Sequence, residues 1–485
     1  MEYDPTSWNS QKTDMAVSMI IKLKVGDVSE SIEKKISILD METELTKAFH
    51  QGELQATTIL FDLLENQLHG YICTHTAWKN IGTEKRCILT KTGHISYRRH
   101  IYRDEQGHRR KPFDELLHLQ PWQRNSNQIE GLAAGLASGI GFRDASEIFS
   151  LIVKEAVSPS SIHRMTARVG QKIQTMERIM DEENLEPGTV VAHRLMAEAD
   201  GVYIKLQREQ QKRAEVKVAV FYTGKQAISP HRNRLVNKMF SCQLGMSNEE
   251  WQQHLAALAY RSYDLSKVGF VQIGGDGAKW VHNSFDYLGV PGHHLLDRFH
   301  VIRNLNTAFG SDLNVGELQA KLFSQGFTAV EADLLWVIAR QKGAKKDQQK
   351  RSLEYLKANQ DALIDLDKRA LGEFNFCSMG AMEGNVDKLV AQRMKGKGRS
   401  WSIKGAQNLL AILRYRELIK TEAFAFLEIP KMEPKSRWKY QRCKDPEWTP
   451  KSASVPIFSS THGSDNWVQL LKCKVNDMLS ITAFF

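Results

Sequence analysis

The sequence lacks the cysteine spacing that marks a zinc ribbon or a disulfide framework. Its six cysteines are scattered and form no C-x-x-C pair, which favours reduced thiols. No apolar run reaches the roughly 18–20 residues that are needed to cross a bilayer. The first residues, MEYDPTSWNS, lack the basic and then apolar stretch of a secretory signal. We therefore expect a cytoplasmic protein without a membrane partner.

The sequence also contains no Gly-x₄-Gly-Lys-Ser/Thr loop, so it does not imply a nucleotide cofactor. What it does have is length and positive charge. Its 485 residues are enough for two or three domains with a sizeable core. Lys and Arg total 66 against 56 Asp and Glu, a formal charge of +10. This balance favours an anionic partner, and nucleic acid first.

Changes of composition and periodicity along the chain predict six segments. These are a helical N-terminal region, 1–80; a small β segment with a helix-turn-helix, 81–180; the first part of an α/β core, 190–300; a helical insertion, 301–372; the last part of the core, 373–425; and a basic C-terminal tail, 426–485. Between the second and third segments, DEENLEPGT at 181–189 carries Pro and Gly and suits a domain boundary.

A basic β segment follows the N-terminal helical region. The run KRCILTKTGHISYRRHIYR is rich in β-formers and breaks at Gly93, which predicts a hairpin or a small sheet. It carries Arg98 and Arg99 among several cations. Such charges are about equally typical of a solvated edge strand and of a face that follows DNA phosphates.

Two helical patterns, FRDASEIFSLIV and VSPSSIHRMTARVG, come next and are separated by a short break. Ser158 suits the N-cap of the second helix and Pro159 its first position. The pair resembles a helix-turn-helix, and an ordinary helical hairpin is the alternative. In the DNA-binding interpretation, the outer face of the second helix presents Ser160, Ser161, His163, Arg164 and Arg168.

Residues 190–300 predict the order β-β-β-α-β-α-β. The first strand is LMAEADGVYIKLQRE, the third is LVNKMFSCQLG and the fourth is KVGFVQIGGDG. Three successive strands followed by alternation match an RNase H-like mixed sheet. We therefore predict an α/β protein with an RNase H-like catalytic core and a helical insertion, preceded by an α-rich region with a helix-turn-helix.

Three acids stand out by their positions in this scheme. Asp200 lies inside the first strand, where a buried charge is costly without a partner such as a metal. Asp276 follows the fourth strand among three glycines, which favour close backbone approach. Glu383 opens a helix after the insertion, and in this topology the three carboxylates can converge at one end of the sheet. Oxygen ligation of that kind suits two Mg²⁺ or Mn²⁺ ions in phosphoryl transfer. Taken singly, each acid is also typical of a turn, a loop or a helix start.

Four stretches together resemble bacterial insertion-sequence transposases of the DDE class, in particular the ISLre group. They are EADGVYIKLQ, GGDGAKWV, LDRFHVIRNL and MEGNVDKLVAQRMKGKGRSWSIKGAQNLL. The resemblance covers most of residues 80–420. It implies an RNase H-like core, a helical insertion before the last acid, two divalent ions and double-stranded DNA as substrate. The triad that it implies is Asp200, Asp276 and Glu383, with the context MEGNVDKLVAQRMK favouring Glu383 over the nearby Glu373.

The same stretches suggest further roles. His300, three residues after Asp297, can hydrogen-bond near the scissile phosphate or the third acid, or can close a strand-to-helix junction. Asp297 suits a helix cap or a residue supporting the site, and Trp401 suits the core. A basic run after Glu383 can follow DNA phosphates or be a solvated turn. Its cations are Arg393, Lys395, Lys397 and Arg399.

The reaction that the resemblance implies has two similar steps. Water first releases a 3′-hydroxyl at the end of the element, and that hydroxyl then attacks target DNA without a covalent protein intermediate. Because two element ends must be brought together, a homo-oligomer on DNA is expected. Two alternatives remain: a catalytically silent DNA-binding protein with a helix-turn-helix, derived from a transposase, and an RNase H-like nuclease without strand transfer.

Overall fold

The computed structural model describes residues 38–182, 187–230, 232–363 and 379–416. The predicted tail at 426–485, the alternative acid Glu373 and the first 37 residues lie outside this described part. The described chain forms two compact units, which divide between Val169 and Gly170. This division falls within a long helix, upstream of the segment at 181–189 that the sequence favours as a boundary.

The first unit combines one long helix, a small sheet and a group of helices. Its elements in chain order are α1, Ile38–His75; β1, Lys79–Thr90; β2, Gly93–Arg103; β3, Arg109–Arg110; α2, Pro112–Leu116; α3, Asn127–Gly139; α4, Phe142–Val153; and α5, Pro159–Glu182, which continues into the second unit.

The predicted basic hairpin is the antiparallel pair β1–β2, with β3 added at its edge. Alternate residues of β2 are buried, among them Ile95 and Tyr97, and they pack with Leu68 and Ile72 of α1. This alternation is the period-2 pattern of a strand that buries one face. The hairpin therefore has a covered face towards α1 and an outer face where Arg98 is exposed.

Helices α3, α4 and the first turns of α5 share a core that includes Ile129, Phe149 and Ile162. Helix α4 ends at Lys154 in the left-handed conformation, and Ser158 Oγ accepts a hydrogen bond from the amide of Ser161 at the start of α5. The predicted helices and their cap are therefore present. Whether α4 and α5 act as a helix-turn-helix stays a prediction.

The second unit is built around a mixed sheet. Its elements in chain order are β4, Arg194–Lys205; β5, Arg213–Tyr222; β6, Gly224–Ser229; β7, Arg232–Val236; β8, Met239–Leu244; α6, Asn248–Ser262; β9, Phe270–Gly275; α7, Lys279–His282; β10, Gly292–Leu296; α8, Arg298–Phe309; α9, Val315–Gln325; α10, Thr328–Arg340; α11, Gly343–Ala358; α12, Met382–Val386; α13, Gln392–Met394; and α14, Ile403–Arg414. A π-helical turn, Asp387–Ala391, joins α12 to α13.

Five of these strands form one sheet in the order β10-β9-β4-β5-β8. Strand β5 is antiparallel to both of its neighbours, β4 and β8, whereas β9 and β10 run parallel to β4. The prediction of a mixed α/β sheet is thus confirmed. No helix of the described residues is both long and apolar enough to span a membrane.

The two faces of this sheet are covered by different parts of the chain. Leu195, Ala197 and Ala199 of β4 pack in a core with α6, whose first turn is closed by a capping box at Ser247. The opposite face of the strand carries Glu198 and Asp200, because successive side chains alternate across a strand. Helix α12 packs against β4 and β5, and α14 packs against β8.

Two features depart from a simple alternation of strands and helices. Helices α8 to α11 pack around their own core, which includes Leu305, Leu334 and Leu356. The predicted third strand, LVNKMFSCQLG, is split into β7 and β8 because Asn237 adopts a left-handed φ of 48° between them. Strand β7 therefore pairs with β6 in a separate two-stranded sheet, while β8 joins the main sheet.

Candidate active site

Asp200 lies in the central strand β4, and its side chain is half-buried. Its Oδ1 atom accepts a hydrogen bond from the amide of Gly201 at 2.7 Å. Burial raises the pKa of the Asp200 carboxyl above its ordinary value, and the negative charges of Asp276 and Asp297 act in the same direction. Asp200 is therefore a carboxyl group whose ionised form is poorly solvated by the protein.

The strand register brings Asp276 to the level of Asp200. Glu198 of β4 pairs with Gly274 of the parallel strand β9, so continuing this register by two residues sets Asp276 opposite Asp200. The Asp276 Oδ1 atom accepts from the amide of Ala278 at 2.9 Å. Its backbone carbonyl accepts from the hydroxyl of Tyr355, in α11, at 2.8 Å. Asp200 thus lies in β4, and Asp276 directly follows the adjacent parallel strand β9, near the level of Asp200.

The glycines around Asp276 serve two purposes. Gly277 has a φ of +84°, a left-handed conformation that lets the chain turn out of the sheet. Gly274 lies in β9, and a Cβ atom there would stand 2.7 Å from Met379 Cε and 3.1 Å from Glu198 Cγ. The expectation of close approach therefore holds at Gly274, where there is no room for a Cβ atom, while Gly277 supplies the positive φ of the turn.

A third acid, Asp297, follows the third parallel strand, β10. Its amide donates to the carbonyl of Gly275 at 2.7 Å, and its carboxylate caps α8 by accepting from the amide of Phe299. His300 Nδ1 donates to Asp297 Oδ2 at 3.0 Å. This hydrogen bond raises the pKa of His300, and the charges of Asp297, Asp200 and Asp276 add to the effect. Asp297 is thus the predicted helix cap. The negative charges of all three acids favour the protonated form of His300.

Glu198, two residues before Asp200 on the same face of β4, was not predicted from the sequence. Its side chain is only 2 % exposed. Its carboxyl oxygens accept from the amides of Gly380, Ala381 and Met382 at 3.0–3.2 Å and from the hydroxyl of Tyr222 at 2.5 Å. Such donors offset the cost of burying a carboxylate. Glu198 therefore fastens the start of α12, the helix that carries Glu383, to the strand that carries Asp200. The signal available in the sequence was a second acid in the buried strand, in AEADG.

Glu383 itself is exposed in the first turn of α12. Within the described residues, no group of three or more His, Cys, Asp or Glu side chains is arranged so that it could hold a metal ion. The register of β4 and β9 thus indicates that Asp200 and Asp276 lie close together. Among the described residues, Glu383 does not form a three-ligand metal site with these two acids.

Among the cations predicted to contact DNA, two are buried. The Arg99 guanidinium lies inside the first unit and pairs with Asp114 and with Glu84. The Arg393 guanidinium lies 5.1 Å from the ring centroid of Trp401, and burial lowers its pKa to about 10. Both guanidinium groups are buried within the protein, and a contact of either one with DNA stays a prediction. Arg99 has acidic partners fifteen residues away on either side along the chain, whereas Arg393 lies against Trp401, eight residues further on.

The remaining predicted DNA contacts have varied surroundings. Ser160, His163, Arg164, Lys395 and Lys397 are exposed, as is Arg98 in β2. Others are engaged: Ser161 in the cap of α5, Arg168 in an ion pair with buried Glu130 at 2.7 Å, and Arg399 in hydrogen bonds to the carbonyls of Gln392 and Arg393. Trp401 is a core residue, as expected, and its indole donates to the carbonyl of Met394.

A protein-family model, described as Uncharacterised protein family (UPF0236), matches residues 33–419. This chain belongs to UPF0236. Among curated relatives, a UPF0236 protein of the vanSb 3′ region in Streptococcus gallolyticus is 24% identical over 400 residues, which cover 80% of this chain and 85% of the relative. Another UPF0236 protein, from Caldanaerobacter subterraneus subsp. tengcongensis, is 20% identical over 344 residues, covering 68% of this chain and 67% of the relative; its name comprises eleven locus designations.

One solved structure with partial similarity to this UPF0236 chain is the Drosophila P element transposase strand transfer complex. The alignment covers 63% of this chain and 82% of that chain, at 11% identity and a TM-score of 0.22. A TM-score this low carries no argument about fold or function.

Replacing Glu198 by Gln should destabilise the protein and loosen the start of α12. The amide group of Gln would face backbone N–H donors, and one unsatisfied buried group costs about 1–3 kcal/mol. We expect a lower free energy of unfolding in urea, together with faster hydrogen exchange of the amides of Gly380, Ala381 and Met382. The control is Tyr222→Phe, which removes one donor and should cost only about 0.5–1.5 kcal/mol. Unchanged exchange at these amides in Glu198→Gln would contradict the anchoring role.

Replacing His300 by Gln should give a pH-dependent loss of stability. Since the pKa of His300 is raised above its ordinary value of 6.5, the folded state favours the protonated ring. Its stabilising contribution is fully present below pH 6.5 and is lost as the pH rises through the raised pKa. We expect the melting temperatures of the wild type and the variant to differ at pH 6 and to converge in alkaline solution, with a charge-assisted hydrogen bond worth about 1–2 kcal/mol. A difference that grows with pH would be inconsistent with the ion pair to Asp297.

Proposed function

We propose that this UPF0236 chain is a DNA transposase of the DDE class, which cuts the ends of an insertion sequence and joins the resulting 3′-hydroxyls to target DNA. The observation that carries the proposal is the register of the parallel strands β4 and β9, which, continued by two residues beyond the last pair of Glu198 and Gly274, sets Asp276 opposite Asp200. The raised pKa of Asp200, which is due first to burial and in smaller part to the negative charge of Asp276, supports it. A carboxyl group whose pKa is perturbed by burial and by nearby charges is typical of active sites.

The sheet itself supports an RNase H-like core for this proposed enzyme. The order β10-β9-β4-β5-β8, with three antiparallel strands followed by two parallel ones, agrees with the strand scheme inferred for such a core. The four helices α8 to α11 stand between the fifth strand and α12, where the resemblance to DDE transposases implies a helical insertion before the last acid.

Divalent cations suit the chemistry of the paired acids. Carboxylate oxygens are the ligands that Mg²⁺ and Mn²⁺ prefer, and a cation held by Asp200 and Asp276 would offset the burial of the Asp200 carboxylate and its repulsion by Asp276. The residues that suit such a cation are Asp200 and Asp276, because the described residues contain no group of three possible metal ligands. Glu383 is the proposed third ligand, since Glu198 holds its helix on the same face of β4 as Asp200.

In the proposed reaction, water attacks the phosphorus atom at the element end and the bond from phosphorus to the 3′-oxygen breaks. The freed 3′-hydroxyl then attacks a target phosphodiester, loses its proton and displaces the 3′-oxygen of the target strand. Two bound divalent ions would supply charge neutralisation and activation of the attacking oxygen in such a transfer. His300, held by Asp297, is suited to donate a hydrogen bond to a phosphate oxygen. Tyr355 fixes the backbone of Asp276.

The proposed DNA partner fits other features of the chain. Arg98, Ser160, His163, Arg164, Lys395 and Lys397 have exposed side chains that could contact DNA, and the formal charge of +10 favours association with phosphates. The relative from Caldanaerobacter shares one protein name among eleven loci. Several copies of one gene in a genome are the expected product of a mobile element. Joining two ends of that element calls for a homo-oligomer on DNA.

Replacing Asp276 by Ala should abolish strand transfer while leaving DNA binding intact. The expected loss is about 10³-fold or more in rate, as for other residues that act as a unit in catalysis. The measurement is an in vitro assay in Mg²⁺ with a duplex carrying the element end and a supercoiled target plasmid. The matched control is Asp333→Ala, which removes an exposed acid of α10 and should leave the rate unchanged.

The same assay separates the proposal from its two alternatives. Cleavage without joined product would favour a nuclease. DNA binding without either reaction, insensitive to EDTA, would favour a silent DNA-binding protein. Full activity in Asp276→Ala would refute the proposed site.

A further inference from the structure

The hairpin β6–β7 forms a two-stranded sheet separate from the main sheet, and it buries none of its described side chains in a core. None of its described residues is buried, and Ile228 is 57% exposed. A two-stranded hairpin without a covering layer is marginally stable by itself in water. Its apolar side chains thus remain in solvent in the isolated chain, which is unfavourable unless the hairpin has a partner.

The charge of the hairpin is of one sign. From residue 216 to residue 248 the sequence contains five Lys or Arg residues and no Asp or Glu. Three of the five, Lys225, Arg232 and Arg234, lie in the hairpin itself. Neither the Arg232 nor the Arg234 guanidinium has a hydrogen bond or an ion pair to any residue that the structure describes. Arginine side chains of this kind are available to an external anion.

The two arginines share one face of the hairpin. Gln226 pairs with Arg234, and Ser229 pairs with Arg232, with a bulge between Ala227 and Ser229. Because Arg232 and Arg234 are two residues apart in one strand, they point the same way with Cα atoms about 6.8 Å apart. The hairpin therefore presents two guanidinium groups on one of its faces.

Both ends of the hairpin are fastened to residues near the candidate active site. Strand β6 follows Tyr222, whose hydroxyl donates to Glu198. Shortly after β7, Lys238 Nζ donates to Asn385 Oδ1 in α12 at 3.1 Å. The hairpin is thus joined at both ends to residues that hold α12, the helix of Glu383, through hydrogen bonds.

We infer that the hairpin β6–β7 inserts into the major groove of duplex DNA, where Arg232 and Arg234 bind backbone phosphates. The inference rests on the proposed function, which supplies the DNA. A two-stranded β-ribbon has the width that the major groove of B-form DNA admits, and the charge of the hairpin complements phosphate. The hairpin would hold DNA close to the acids and would not take part in the cleavage or joining reactions.

The test is the double variant Arg232→Gln/Arg234→Gln in the full-length protein. Binding to a fluorescein-labelled DNA duplex is measured by anisotropy as a function of salt concentration. Removing one arginine–phosphate ion pair should lower the slope of log K against log salt by about 0.9 and weaken binding about 8-fold at 0.1 M salt, so about 60-fold for both. The double variant Arg232→Lys/Arg234→Lys should recover most of the affinity, because lysine also binds phosphate as a point charge.

Two controls distinguish the hairpin from net charge and from other nucleic acids. Lys350→Gln/Arg351→Gln removes two exposed cations from α11 and should leave the affinity nearly unchanged. An RNA duplex of the same sequence should bind the wild type and the hairpin variant equally, because the deep, narrow groove of A-form RNA does not admit side chains. Equal losses in the control variant, equal losses on RNA, or no recovery with lysine would each overturn the inference.

The outcome for the hairpin is separable from the outcome for the proposed function. If the hairpin variant binds DNA like the wild type while Asp276→Ala still loses strand transfer, the hairpin inference fails and the transposase proposal stands. If Asp276→Ala keeps full activity, the proposed site fails, whatever the affinity of the hairpin variant.

Discussion

The second unit depends on how its central strand accommodates two acids on one face. Removing a carboxylate from water costs several kcal/mol unless the protein supplies donors. Glu198 receives three backbone amides and one hydroxyl, so it is fully buried and binds the chain at 380–382 to β4. Asp200, two residues later, has one backbone amide and a raised pKa. Two acids of one strand therefore have opposite roles: the first is a structural anchor, and the second is left with unsatisfied charge in the candidate site.

Parallel pairing then adds further negative charge at the same level. Strands β4, β9 and β10 all point the same way, and Asp276 and Asp297 each follow the last residue of their strand. The charge is only partly balanced within the described chain, by His300 through its hydrogen bond to Asp297. Tyr355 of α11 reaches back to the carbonyl of Asp276, so the helical segment between β10 and α12 also contributes to the position of this acid. Such a site favours cations and the polyanions that cations can bridge.

The distribution of charge in the second unit suits a DNA substrate held close to acidic groups that would otherwise repel it. A polyanion approaches carboxylates only if cations elsewhere hold its backbone. Such cations are present in the acid-free stretch from 216 to 248, and Lys395 and Lys397 are two more, both exposed. The hairpin and α12 share the anchoring network of Tyr222, Glu198 and Lys238, so DNA bound at the hairpin would be held by the same part of the fold that carries the acids.

Features that depend on neighbours along the chain could be predicted from the sequence. The caps at Ser158 and Asp297 and the burial of Trp401 follow from residue chemistry and short-range sequence patterns, and the structure has them. Which charged groups find partners depends on contacts that form only when the chain folds. Arg99 is buried by Asp114, fifteen residues away, and Glu198 binds amides more than 180 residues away. The split of the predicted third strand at Asn237 likewise depends on which strand each half pairs with. Local patterns cannot reveal these outcomes, because the free energy of a charge is set by the groups that folding brings around it.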